Sequence, residues 1–329
     1  MSGAAQSRRI TRWLAALAVV PCACSSGADR PRSKPAPVHA GAAAGEAQPG
    51  PAPPPAAAVG PLVAAATSAH AAATSAHAEA TSAHAEATSA HAEATPWPPA
   101  RPPAIETDWC IPGVDALDEE TCYVLPDAPT RTLLIYLHGI VPPAKESQQK
   151  TNFETVVARA SRRAGVAALM PRGKVGLAPR GFARWWGWPT GGPAYREHAA
   201  GFVAAFAEKR RKLEQLAGVS FSRVYVAGSS SGAFFAAALA LGGDIEADGF
   251  GAMSGGGGRA TPELPTLAPR PFYIGFGTHD AVGGSARALA DVLRGAGWPV
   301  RVAEHPVGHG AKEIYLDEAF AFWREHEAR

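Results

Sequence analysis

The chain has 329 residues, and 31 Lys and Arg stand against 29 Asp and Glu, which gives a formal net charge of +2. Together with a pI of about 8.4, this near balance falls short of the basic surface that nucleic-acid-binding proteins present, and it favours no acidic partner. The charge balance therefore argues against nucleic-acid binding.

The first 23 residues have the features of a secretion signal. Arginines precede an apolar stretch at 13–20, and small residues and cysteines follow it. A basic start with a short apolar core is typical of export signals, and the core is far shorter than the roughly 20 residues of a membrane span. Cys24, followed by Ser-Ser-Gly, resembles the lipidated cysteine of bacterial lipoproteins, although Pro21 stands where such sequences usually carry leucine. We predict an exported protein, either lipid-anchored to the membrane through Cys24 or simply cleaved and secreted.

Residues 24–106 are predicted to be a disordered linker. Ala, Pro, Gly and Ser dominate this stretch, which holds too little apolar area to offset the entropy of ordering it. A seven-residue repeat covers 67–94 and contains four regularly spaced histidines, His70, His77, His84 and His91. On a helix, neighbouring histidines of this set would lie about 10.5 Å apart, too far to share one metal ion. The repeat therefore predicts a low-complexity spacer, with no metal site.

Residues 107–329 are predicted to form one folded domain, because this length suffices for a sizeable core. Apolar runs alternate with helical patterns along it. Predicted strands are Tyr123–Leu125, Leu133–Leu137, Val166–Met170, Val224–Ala227, Gly249–Met253, Phe272–Phe276 and Val300–Ala303. Predicted helices lie near Thr151–Ala164, Tyr195–Leu216, Gly232–Leu241, Ala286–Gly295 and Ala311–His326. The alternation predicts an α/β fold, a mostly parallel doubly wound sheet with helices on both faces.

Cys110 and Cys122 precede most of these elements and lie outside the signal region. An even pair of cysteines in an exported chain predicts a disulfide bond, and two buried free thiols are the alternative.

The stretch Gly228-Ser229-Ser230-Ser231-Gly232 lies between a predicted buried strand and a helix rich in small residues. A G-x-S-x-G sequence at a strand-to-helix turn is a nucleophile elbow, in which glycines remove side chains where strand and helix nearly collide. Ser230, the central residue, is the predicted nucleophile, with Ser229 and Ser231 as alternatives in the same triplet.

Three further positions follow predicted strands at the same edge of the sheet, where ligands of open parallel sheets bind. His138-Gly139-Ile140 follows the predicted strand at 133–137, and the backbone N–H groups of Ile140 and Ser231 are the candidate oxyanion donors.

Asp280 follows the predicted strand at 272–276 and is favoured as the orienting acid over Asp244 and Asp248, which suit a surface turn. His309 lies in a glycine-flanked loop after the last strand and is favoured as the base over His305. The His138 side chain is expected to be a structural hydrogen-bonding group.

With Ser230, Asp280 and His309 in this order, and His138-Gly139 upstream, residues from about 107 to 329 resemble the α/β-hydrolase superfamily. Within it the chain looks most like the secreted polyhydroxybutyrate-depolymerase, feruloyl-esterase and dienelactone-hydrolase branches. The resemblance implies cleavage of carboxylic esters through an acyl-enzyme, with Ser230 as nucleophile, His309 as base and Asp280 as its orienting partner. A serine peptidase of the same fold, or a surface binding protein that retained the fold without catalysis, are the alternatives.

The surroundings of this predicted site suggest an open pocket. The connection between 253 and 272 is short, so no large lid domain is predicted. Trp185, Trp186 and Trp188 lie in a long connection on the same edge and could form an aromatic wall for a polymeric or aromatic ester. The alternative is that they fill the gap between loop and sheet. No cofactor or metal is predicted, since the glycine run at 255–258 lacks a phosphate-binding context, and the protein is expected to act as a monomer.

Overall fold

The computed structural model describes residues 104–144, 146–257 and 268–327, together with Trp97. The predicted signal at 1–23, Cys24 and the histidine repeat lie outside the described residues. None of the described helices is both long enough and apolar enough to cross a membrane.

Across the described ranges, the main sheet has eight strands in the order β1-β2-β4-β3-β7-β8-β9-β10. These strands are β1 Asp115–Asp118, β2 Thr121–Val124, β3 Thr132–Leu137, β4 Ala167–Pro171, β7 Arg223–Ser229, β8 Gly249–Met253, β9 Phe272–Gly277 and β10 Val300–His305. Neighbouring strands from β4 to β10 pair in parallel, whereas β1 and β2 form an antiparallel edge. A separate hairpin joins β5, Lys174–Val175, to β6, Trp186–Gly187.

Helices cover both faces of this sheet. They are α1 Gln148–Ala164, α2 Gly192–Ala217, α3 Ser231–Gly242, α4 Gly283–Gly295 and α5 Glu313–Arg324. Buried residues of α2, α3 and α4 pack in one core with Val224 and Val226 of β7, while those of α1 and α5 pack in a second core with Tyr225 of the same strand. Because alternate residues of a strand point to opposite faces, this division confirms the predicted doubly wound α/β architecture.

The observed element boundaries differ from the predicted ones mainly at helix starts. α1 begins before Thr151 because Ser147 caps it, accepting a hydrogen bond from the backbone N–H of Lys150 at 3.3 Å. α2 begins at Gly192 because Pro193, in its first turn, has a backbone angle suited to helix initiation. The short strands β1, β5 and β6 were absent from the prediction, since four residues or fewer leave little periodic pattern to recognise.

Cys110 and Cys122 form a disulfide with 5.5 Å between their Cα atoms. It joins the segment before β1 to β2, which pairs antiparallel with the edge strand β1 on one side and with β4 on the other. Closing a loop of this length stabilises the fold by about 3 kcal/mol in the chain-entropy model.

We expect the Cys110→Ser/Cys122→Ser double variant to lower the free energy of unfolding by about 3 kcal/mol. Urea unfolding of the wild type and the double variant measures this difference, and reductant should reproduce it in the wild type only. Intact mass with and without reductant provides the direct control. Thiols that alkylate without reduction would contradict the bond.

Candidate active site

Ser230 lies at the turn between β7 and α3 with an unusual backbone conformation. Its φ is 52° and its ψ is −120°, a left-handed combination that a residue with a Cβ rarely adopts. Its backbone N–H donates to the carbonyl of Met253 at 3.0 Å, which fixes the turn against β8. Strain of this kind persists only where the surroundings impose it, and it clusters at functional sites.

The glycines beside Ser230 are required by how closely the chain passes itself. A Cβ on Gly232 would lie 2.0 Å from the carbonyl oxygen of Leu137, and one on Gly228 would lie 2.5 Å from the backbone of Gly232. No side chain therefore fits at either position while β3, β7 and α3 keep their places. This explains why the elbow sequence carries glycine on both sides.

The structure brings Ser230, His309 and Asp280 together in a hydrogen-bonded chain. Ser230 Oγ lies 2.9 Å from His309 Nε2. On the other side of the ring, His309 Nδ1 lies 3.0 and 3.1 Å from the two carboxylate oxygens of Asp280. Asp280 follows β9 and His309 follows β10, neighbouring parallel strands that end at the same edge as β7.

The Asp280 carboxylate is held in a closed environment, with only 1% of its side chain exposed against 41% for His309. Burial by itself raises the pKa of Asp280, but the hydrogen bond and charge of His309, with the backbone N–H of Val282 at 3.1 Å, outweigh burial and leave that pKa below its ordinary value. The ionised carboxylate accepts from Nδ1, so Nε2 is left free to take a proton from Ser230.

The alternatives considered from sequence are not part of this chain of hydrogen bonds. His305 Nε2 lies 3.2 Å from Glu318, on α5. Asp248 accepts from the backbone N–H of Val224 at 2.8 Å, and Asp244 accepts from the hydroxyl of Tyr195. Each of these groups has a structural partner of its own.

The two predicted oxyanion donors lie on either side of the nucleophile. A Cβ on Gly139 would be 3.2 Å from Ser230 Cβ, so the loop that carries Ile140 lies directly against the elbow. The Ile140 N–H has no backbone acceptor within the described part of the chain. Ser231 is the first residue of α3, where backbone N–H groups have no intrahelical partner. The assignment of these two N–H groups as oxyanion donors stays a prediction.

His138 is a buried structural residue, as its sequence context predicts. Its Nε2 accepts from the backbone N–H of Gly173 at 2.8 Å, and its Nδ1 contacts the carbonyl of Gly139. Burial lowers the pKa of His138 to about 4, with the positive charge of Arg172 acting in the same direction. The imidazole is therefore neutral at ordinary pH, and it connects the loop that carries Gly139 to the segment after β4.

Trp188 requires a correction to the predicted aromatic wall. Its side chain is fully buried, stacked on Phe235, and its indole N–H donates to the His138 carbonyl at 2.8 Å. It fills the gap between loop and sheet, the alternative considered from sequence, and cannot contact a substrate from there. Trp185 and Trp186 are half-buried. Trp186 pairs through its backbone with Val141, next to Ile140, at 2.9 and 3.0 Å.

Ser254 is a residue that the sequence analysis missed. It follows β8 at the same edge as the triad, is fully buried, and has a φ of 49°. Ser230 and Ser254 are the non-glycine residues with positive φ among those described. In the sequence, the feature that points to Ser254 is a polar residue directly after the apolar strand 249–253, at the edge of the sheet where ligands bind.

Other features of the described residues do not point to a second site of chemistry. A cavity of about 700 Å³ beside the disulfide is lined by residues that include Cys110, Tyr123 and Lys150, and none of the triad residues lines it. Among the described residues, no group of three or more His, Cys, Asp or Glu could hold a metal ion. The predicted short connection between β8 and β9 lies partly outside the described residues.

No protein-family model and no curated protein matches the sequence. A carboxylesterase of Bacillus cereus is 16% identical at a TM-score of 0.47, over 65% of this chain and 95% of that one. A carboxylesterase of Mesorhizobium loti is 18% identical at a TM-score of 0.46, over 62% of this chain and 93% of that one. The structure of YahD with malic acid is 15% identical at a TM-score of 0.47, over 63% of this chain and 98% of that one.

These similarities are low, so the fold is established by the chain's own topology. A mostly parallel sheet covered on both faces carries a strained serine elbow at the end of β7. The aspartate and the histidine follow later strands in the chain order of α/β-hydrolases. By its sheet, its elbow and the order of these residues, the chain has the fold of the α/β-hydrolase superfamily.

Proposed function

We propose that this protein is a serine hydrolase that cleaves carboxylic esters through an acyl-enzyme. The observation that carries the proposal is the continuous hydrogen-bonded chain from Ser230 Oγ through His309 to Asp280, at 2.9 and 3.0 Å. A serine hydroxyl is a weak nucleophile until a neighbouring base removes its proton. A buried carboxylate bonded to that base orients it for proton transfer, whereas burying a carboxylate contributes nothing evident to packing.

In the proposed reaction, Ser230 Oγ attacks the ester carbonyl carbon while His309 Nε2 takes the hydroxyl proton. Asp280 accepts from Nδ1–H, keeps the ring in the reactive tautomer and stabilises the imidazolium that forms. When the tetrahedral intermediate collapses, His309 gives the proton to the leaving alcohol and an acyl-serine remains. Water then repeats the sequence on the acyl-serine, releasing the carboxylic acid and restoring the Ser230 hydroxyl.

The negative charge that develops on the carbonyl oxygen needs donors that are already in place. The backbone N–H groups of Ile140 and Ser231 are the proposed donors, because the loop of Gly139 and the start of α3 both adjoin Ser230. Each such donor typically lowers the activation free energy by about 3 kcal/mol. Backbone donors need no reorientation during the reaction, so this stabilisation is available as soon as the substrate binds.

A fluorophosphonate probe tests the nucleophile directly. We expect it to label the native protein and to leave Ser230→Ala unlabelled, while the matched control Ser229→Ala keeps the label because Ser229 belongs to β7. Equal labelling of wild type and Ser230→Ala would refute the assignment.

The two alternatives are separated by turnover. A serine peptidase would use the same three residues, so ester and peptide substrates of matched acyl group must be compared. A non-catalytic binding protein would have no use for a deprotonating histidine beside a strained serine, and it would show neither labelling nor turnover. The geometry of the triad favours an enzyme over this last alternative.

The proposed substrates are polymeric or aromatic esters outside the cell. Export, and a lipid anchor at Cys24, are part of this proposal and depend on the sequence of the first 27 residues. The half-buried Trp185 and Trp186 are the aromatic groups retained as the proposed substrate contacts, since Trp188 is in the core. The intact mass of the protein isolated from cell envelopes tests whether Cys24 is acylated.

We expect short-chain aryl esters and methyl ferulate to be cleaved, and long-chain lipid esters to be poor substrates. An open site rejects small acyl groups weakly and offers little apolar surface to cover a long chain. Turnover measured across short-chain and long-chain aryl esters, methyl ferulate and polyhydroxybutyrate gives the comparison. A clear preference for long-chain lipid esters would contradict the proposed substrate class.

A further inference from the structure

Ser254 combines two features that are costly for a serine. It is fully buried, and its φ of 49° lies in the left-handed region where a Cβ causes strain. Its backbone N–H donates to the carbonyl of Gly275 at 2.7 Å, so the strained turn is fixed to β9. A hydroxyl is retained here although glycine would fit the backbone with less strain.

The hydroxyl of Ser254 makes two hydrogen bonds to Gly310. Ser254 Oγ accepts from the backbone N–H of Gly310 and donates to its carbonyl, each at 3.1 Å. Gly310 directly follows His309 and has a φ of 107°. One buried side chain therefore fixes both backbone polar groups of Gly310, the residue that follows the proposed base.

Besides Ser254, the loop that carries His309 is held by hydrogen bonds from Lys312 Nζ to the His309 carbonyl at 3.4 Å and from Asn152 to the Ala311 carbonyl at 3.3 Å. Gly308 and Gly310 flank the histidine, and a Cβ on either would have no neighbour within 4 Å. His309 itself is 41% exposed on its side chain. Packing alone therefore constrains this segment weakly, and the buried hydroxyl supplies a directional constraint that packing does not.

We propose that Ser254 is a positioning residue, whose hydroxyl holds the Gly310 peptide so that His309 stays aligned between Ser230 and Asp280. The proposal rests on the function proposed above. Burial raises the pKa of Asp280, His309 and the Val282 N–H lower it, and the Ser254 side chain adds a smaller effect that also lowers it. Ser254 therefore adjoins both His309 and Asp280, the base and its orienting carboxylate, without touching the substrate.

A simpler alternative is that Ser254 only fills space in the core. The two explanations predict different results, because a space-filling residue affects stability and not the alignment of the base. A misplacement of about 1 Å at a reacting group is enough to cost on the order of 100-fold in rate. The kinetic effect therefore need not follow the stability effect.

The experiment compares Ser254→Ala and Ser254→Gly with Ser161→Ala. Ser161 is a fully buried serine on α1 whose hydroxyl has no hydrogen-bond partner among the described residues, so it is matched for burial. We expect both Ser254 variants to lower kcat for an aryl ester by roughly 10- to 100-fold, with KM changed less than about twofold. Ser161→Ala should keep the wild-type kcat, whatever its effect on unfolding temperature.

A second measurement needs no substrate. The proton shared by His309 Nδ1 and Asp280 gives a low-field signal in proton nuclear magnetic resonance, identified by its loss in His309→Gln. We expect this signal to shift or broaden in both Ser254 variants and to stay unchanged in Ser161→Ala. A wild type that shows the signal but cleaves no ester would refute the proposed function and leave the positioning role open to this test.

Two outcomes would overturn the positioning role. The first is a Ser254→Gly variant with wild-type kcat, because it would show that the hydroxyl is dispensable. The second is an unchanged low-field signal in Ser254→Ala together with a lower unfolding temperature, because that combination is what a space-filling residue produces.

Discussion

Replacing His309 with alanine is expected to lower kcat for ester hydrolysis by about 10⁴- to 10⁶-fold, and Asp280→Asn by about 10⁴-fold. The reason is that the proton on Ser230 Oγ has one acceptor, His309 Nε2 at 2.9 Å, and that acceptor is oriented by Asp280 at 3.0 Å. Since the three groups act as a unit, the double variant Ser230→Ala/His309→Ala should be no slower than either single variant. Steady-state kinetics on one aryl ester gives kcat for the wild type, the three single variants Ser230→Ala, His309→Ala and Asp280→Asn, and the double variant.

The chain offers matched controls for both substitutions. His305→Gln changes the histidine that contacts Glu318, and Asp244→Asn changes the aspartate that contacts Tyr195, so both should keep kcat near the wild-type value. Additive losses in the double variant would indicate that Ser230 and His309 act in separate steps. A large loss in His305→Gln would mean that the base has been assigned to the wrong histidine.

Gly232→Ala is expected to have the largest effect on stability of any single methyl group added to the elbow. The new Cβ would lie 2.0 Å from the carbonyl oxygen of Leu137 and 2.6 Å from that of His138, so β3 and α3 would have to separate. Overpacking typically costs about 1–3 kcal/mol, and a clash this close with backbone atoms places the expected loss at the upper end of that range. Urea unfolding should show that loss, and fluorophosphonate labelling should fall with it because Ser230 and Ile140 move apart.

Gly201→Ala is the matched control for added volume. Gly201 is exposed in the interior of α2, and a Cβ there meets nothing within 4 Å. Alanine in an exposed helix interior is more favourable than glycine by roughly 0.5–1 kcal/mol. Stability of Gly201→Ala should therefore stay level or rise. Similar losses in the two variants would show that the close approach at the elbow is not what limits stability.

Much of the fold could be predicted from sequence because the long elements have strong local patterns. Predicted strands at 133–137 and 224–227 fall within β3 and β7, and the helix predicted at 232–241 falls within α3. The order of elbow, aspartate and histidine then indicated which edge of the sheet to inspect. The division of the chain at residues 23 and 106 stays a prediction.

What could not be predicted depends on contacts between residues far apart in the chain. Trp188 was placed on a substrate wall because nothing local shows that α2 and α3 close over it. Ser254 could not be identified from sequence because its hydroxyl bonds to Gly310, which lies 56 positions later. Buried hydrogen bonds of this kind leave no periodic trace in the sequence, unlike the apolar faces of strands and helices.

His138 holds both ends of the segment 173–188, and this has a consequence for engineering. Its Nε2 accepts from the N–H of Gly173, and its carbonyl accepts from the indole N–H of Trp188. The segment between Gly173 and Trp188 therefore begins and ends at hydrogen bonds to the same buried residue. The β5–β6 hairpin between these anchors can then be treated as an exchangeable module. Foreign sequences inserted at its exposed residues 179–181 should leave both anchors on His138 in place, because Leu177 and Ala178, which pack against the core, are unchanged.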